Sequence, residues 1–144
     1  MRDVHTYDYA VVRVVPRVER AEFLNAGIIV SCDVERILQA KIELDEAALL
    51  ALCPNVDLDL VKQSLASIPK ICAGGEAAGA IGKMTPRERF HWLVAPRSTI
   101  VQTSPVHTGQ CAREFAAKTE ADAMTQAMEH LMDTMVRRRS VGAE

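Results

Sequence analysis

The segment YDYAVVRVV, Tyr7 to Val15, is largely apolar on both faces. In an extended chain Tyr7, Tyr9, Val11, Arg13 and Val15 point one way, and Ala10, Val12 and Val14 the other. Its richness in Tyr and Val favours a strand, and Pro16 stops it. A strand apolar on two faces belongs in the interior of a sheet. Arg13 is the exception among these neighbours and needs either a partner or a route to solvent. The expected partner is a carboxylate such as Glu22, or backbone carbonyls.

The rest of the chain supplies what that strand must pack with. Leu24 to Cys32 reads as a second strand, with Gly27 marking a bulge or a close backbone approach. Asp33 to Arg36 is a turn. ILQAKIEL then alternates, with Leu38, Ala40, Ile42 and Leu44 inward and Gln39, Lys41 and Glu43 outward, as in a strand with one wet face. Asp45 caps the helix EAALLALC, which ends before Pro54. Asp57 caps LDLVKQSLASI, whose Leu58, Val61, Leu65 and Ile68 share a face. Residues 73–84, AGGEAAGAIGKM, hold four of the seven glycines. They match no phosphate-cradling spacing and read as a flexible connector. Thr85, Pro86 and Glu88 form a strong helix start, and this helix stops before Pro96. Residues 97–109, RSTIVQTSPVHTG, read as a fourth strand and a tight loop. A C-terminal helix is expected near 112–139, from Ala112 or Asp122 to Arg139. Its Met124, Met128, Met132 and Met135 suit core packing or a partner surface. This order predicts a single α+β domain over 1–144: an antiparallel four-stranded sheet, a three-strand meander plus a late fourth strand, with helices on one face.

Composition narrows the function classes. Hydrophobic residues make up 49%, charged residues 25% and the formal net charge is −2. That balance argues against broad nucleic-acid binding, which needs a basic face. Aromatics at 4% give little for stacking single strands. Met1 is followed by Arg2 and Asp3 rather than an apolar leader, and no run is long enough to span a bilayer. A cytoplasmic protein without a membrane partner is expected. Cys32, Cys53, Cys72 and Cys111 lack C-x-x-C or zinc-site spacing, and the histidines are scattered, so reduced thiols and no metal or cofactor are expected. No nucleophile elbow surrounds Ser98 or Ser104.

Two segments carry a resemblance. Residues 7–30 hold Tyr7, Tyr9, Arg13, Glu19, Arg20, Glu22, Phe23, Asn25 and Gly27; residues 89–109 hold Arg97, Ser98, Ser104, Pro105, His107 and Gly109. In this order they resemble the bacterial family known as domain of unknown function 3037. The resemblance implies a small cytosolic bacterial protein without an established activity. It also suggests a HipA-like kinase as partner.

The polar residues of these segments support two readings. In one, Arg20 and Glu22 pair locally in a surface loop and Asn25 and Gly27 serve a bulge. In the other, Arg13, Arg20, Glu22, Asn25, Arg97, Ser104 and His107 converge at one end of the sheet as a ligand or partner site. Arginines there would suit an anionic small molecule. For function the first class is a non-enzymatic accessory or binding protein. The alternative is a small enzyme acting on a phosphate-containing or nucleotide substrate, with His107 as acid/base. A homodimer stays open.

Overall fold

The expected central strand is central. The computed structural model describes residues 4–33, 36–112 and 120–137. Within them β1 (Val4–Val14), β2 (Leu24–Cys32) and β3 (Ile37–Ile42) form an antiparallel meander. On the other side of β1 lie two further strands, β4 (Val101–Thr103) and β5 (His107–Ala112). Both are antiparallel to β1: β4 pairs with residues 12–14 and β5 with residues 4–9. The sheet therefore has five strands rather than four. The fourth strand and tight loop expected over 97–109 are one edge strand broken at Ser104–Val106. Pro105 has no N–H to offer, yet the chain keeps its direction.

Helices α1 (Glu46–Leu52), α2 (Leu58–Ala73) and α3 (Pro86–Val94) follow the meander. Asp45 and Asp57 cap the first two through Ala48 N–H and Leu60 N–H. Thr85 and Glu88 make a reciprocal capping box on the third. Helix α2 runs on through Pro69, because Ile71 and Cys72 beyond it are buried. Residues Glu76–Lys83 within the expected connector form 3₁₀ turns kinked at Gly79. Helix α4 (Glu120–Leu131) continues into a π turn, Met132–Val136. Its expected start at Ala112 is corrected, since Ala112 closes β5. The remainder of the 112–139 expectation, 113–119 and 138–139, lies outside the described residues.

The helices cover both faces of the sheet, not one. Val12, Val14, Leu24, Ala26 and Ile29 pack with Leu49, Val61, Leu65, Phe90 and Leu93 of α1–α3. Tyr7, Val11, Ile28, Val30 and Cys32 pack with Met124, Met128, Leu131 and Met132 on the opposite side. The reason is the one that centred β1: an apolar face left bare would cost roughly 25 cal/mol per Å2. Lys41, on the face of β3 read as wet, reaches Glu129 of α4 at 2.5 Å.

A bulge in β2 sets the phase. The register shifts where Val12 faces Gly27 and Arg13 faces Asn25, leaving Ala26 as the extra residue. Leu24 and Ala26 thus join the first core, and Ile28 and Val30 the second. A Cβ on Gly27 would sit 2.6 Å from the Lys41 carbonyl oxygen and from Ile42 Cδ1. The glycine is there for close approach to β3.

Candidate functional site

The N-terminal motif organises the bulge. The Arg13 guanidinium lies 4.1 Å over the Phe23 ring. It makes no hydrogen bond to Glu22 or to a carbonyl among the described residues, and its Nε is buried without a partner. The carboxylate partner expected for Arg13 is therefore replaced by an aromatic face. Asn25 Nδ2 donates to the Met135 carbonyl at 3.0 Å, tying the bulge to the π turn. Arg137 follows that turn. It meets Glu43 at 2.5 Å, Asp133 at 2.8 Å and Glu129 at 2.9 Å. Hydrogen bonds from Lys41 and Arg137 hold the Glu129 carboxyl below its usual range.

The second motif organises the broken edge strand. Ser104 is buried; its N–H donates to the Val11 carbonyl, and its Oγ accepts from Val11 N–H at 2.8 Å. A side chain thus fills a rung that a backbone carbonyl would normally fill. His107 lies opposite Tyr9, with ring centroids 5.5 Å apart. Gly109 lies opposite Tyr7, and a Cβ there would come 2.6 Å from the tyrosine ring. The Tyr-x-Tyr strand and the Ser-Pro-x-His-x-Gly segment are therefore cross-strand partners. Next to them Thr108 donates to Asp8, and Arg87 of α3 bridges Asp8 at 2.7 Å and Ser31 at 3.1 Å.

Arg20 and Glu22 pair with each other at 2.6 Å in an exposed loop beside Cys53 and Pro54. The Arg20 hydrogen bond, then its charge, holds the Glu22 carboxyl below its ordinary value. Arg97 lies elsewhere, in a cavity of about 240 Å3 between α2, α3 and β4. Its guanidinium stacks 4.2 Å over Trp92 and donates through Nη2 to the Trp92 carbonyl. The seven predicted site residues thus fall into four surroundings. Arg13 and Asn25 sit at the bulge, Ser104 and His107 along the edge strand, Arg20 and Glu22 in the loop, and Arg97 in the cavity. No cavity described here is lined by members of two of these groups.

With this geometry in hand, a model of the family described as "Protein of unknown function (DUF3037)" matches residues 9–136. The chain belongs to the DUF3037 family. Comparison with curated proteins and with solved structures found no match. In this DUF3037 chain the motif residues have identifiable contacts in the sheet: Ser104 completes a ladder, Gly109 seats Tyr7, and Asn25 holds the π turn. Among the described residues no three of His, Cys, Asp and Glu group as metal ligands, and no helix is long and apolar enough to cross a membrane. Cys32, Cys53 and Cys72 are buried, and Cys53 and Cys72 are free thiols. Burial pushes the Cys72 thiol up to about 12, against a smaller opposing effect of Arg89. Such a thiol is a poor nucleophile.

The cavity beside Arg97 was not legible as a site in the sequence. Ile68, Ile71 and Leu93 line it together with Ser64, Ser67 and Val101. Trp92, the chain's one tryptophan, stands 38% exposed at its rim. A lone tryptophan followed five residues on by an arginine was the available signal.

Proposed function

We propose that this chain is a non-enzymatic accessory protein of the bacterial cytosol that binds another protein through the groove between α2, α3 and β4. The observation that carries this reading is an open strand edge beside an apolar cavity. β4 ends the order β3-β2-β1-β4, so among the described residues its outer side has no strand. A strand edge next to a side-chain pocket is a common means of recognising a partner. Trp92 and Arg97 at its rim are residue types that dominate binding energy at interfaces. The partner suggested by the family resemblance is a HipA-like kinase.

A photo-crosslinking amino acid at Gln102, in β4, tests this in cells that carry the chain. Thr125, exposed on α4, is the control position. A discrete protein adduct at Gln102 and none at Thr125 is expected. Adducts at both, or at neither, would overturn the groove assignment. The kinase is tested separately by titrating purified protein. Saturable binding that Trp92→Ala weakens supports it; absence of binding removes the kinase as partner.

A further inference from the structure

We infer that the groove receives an extended segment of the partner, which adds to β4 as a further strand and sets a carboxylate against Arg97. This rests on the binding reading above and specifies the chemistry of its ligand. The backbone supplies the template. Ile100 C=O and Ser104 N–H bind β1 through Val15 and Val11. By the alternation of an antiparallel ladder, Val101 and Thr103 turn their backbone groups outward. The Val101 carbonyl is taken by the Thr99 hydroxyl at 2.8 Å. Val101 N–H, Thr103 N–H and Thr103 C=O are left for an added strand. Alternate side chains of that strand would lie over Ile68, Ile71 and Leu93.

Charge selects the occupant. Among the described residues Arg97 is the one ionisable residue lining the cavity, and no Asp or Glu lines it. Stacking on Trp92 and the bond to the Trp92 carbonyl fix the guanidinium plane. A guanidinium held in this way presents paired donors that match a carboxylate. The template is short, because β4 has three residues and Pro105 cannot donate. Backbone pairing alone would be weak, so an apolar anchor and the carboxylate must both contribute.

Random octapeptides displayed on phage and selected against the full chain supply the probes. Synthetic copies are then titrated by the fluorescence of Trp92, the single tryptophan. Selected sequences are expected to alternate apolar residues with Asp or Glu. N-methylation of the peptide amide that faces β4 should weaken binding about tenfold. Replacing the peptide's acidic residue by its amide should cost about tenfold against the wild type and nothing against Arg97→Gln. Peptides without acids, indifference to N-methylation, or equal losses against both proteins would overturn the inference. A Gln102 cross-link joining two copies of this chain would overturn it as well. If Gln102 captures a partner but no acidic peptide binds, only this inference falls. If both experiments fail, the binding reading falls with it.

Discussion

Ser104→Ala isolates the unusual rung in the sheet. The hydroxyl accepts the Val11 amide at 2.8 Å, and the two residues are 3% and 7% exposed, too little for water to replace the bond. The mutation leaves Val11 N–H buried and unpaired, while Ser104 N–H keeps its bond to the Val11 carbonyl. An unsatisfied buried donor costs about 1–3 kcal/mol. That energy should appear in two assays. Urea unfolding should show a loss of this size. Native-state hydrogen exchange should show the Val11 amide opening roughly five- to hundredfold faster, since local opening free energies set exchange rates. Thr99→Ala removes a hydroxyl that is exposed and bonded to Val101 on the outer edge. It should cost less than about 0.5 kcal/mol. A Ser104→Ala protein as stable as the wild type, with Val11 exchange unchanged, would refute the ladder role.

Gly27→Ala forces a Cβ to within 2.6 Å of the Lys41 carbonyl oxygen, a backbone atom with little room to move. It should lose about 1–3 kcal/mol in urea unfolding; a neutral substitution would count against the close approach of β2 and β3. Arg13→Met leaves no carboxylate unpaired and forfeits only the contact with Phe23. Its melting should correspond to a change of within about 1 kcal/mol; a loss of several kcal/mol would reveal a buried ion pair. Glu129 has a folded-state carboxyl held below its ordinary 4.5, so its contribution is present above that value and lost as the pH falls through the folded one. Glu129→Gln should therefore be less stable than the wild type near neutral pH, and the two should converge in acid; a difference independent of pH would argue against the link to Lys41 and Arg137.

What could be read in the sequence was local. The caps Asp45, Asp57 and Thr85 act on amides three residues away, so their chemistry is complete within one turn. Strand β2 was legible because its apolar run, its glycine and its boundaries lie in one stretch. The second covered face was signalled by β1, whose residues on both sides are apolar, but nothing in the order of the elements says on which side of the sheet each helix packs. Phe23 as the partner of Arg13 was hidden because an aromatic face leaves no charge pattern to match. The candidate site suffered from the same limit. Arg97 and His107 are ten positions apart in sequence, yet one lies in the cavity with α2 and the other lies against Tyr9. Sequence spacing says nothing about which face of a broken edge strand a residue serves.

The pairing of β1 with β4 and β5 has a consequence for how the chain folds. β1 meets β2 through a short loop, but its other neighbours are about a hundred positions away, as in Tyr9 with His107. During synthesis the meander and the first three helices can collapse on one side early. Until residues near 112 emerge, the central strand has one bare edge, and its second face waits for α4. Closing so distant a contact is entropically slow. A bare strand edge of this kind is a template for pairing with other chains. The sequence separation of β1 from β4, β5 and α4, rather than the strength of any one contact, sets how long that edge and face stay uncovered as the chain emerges.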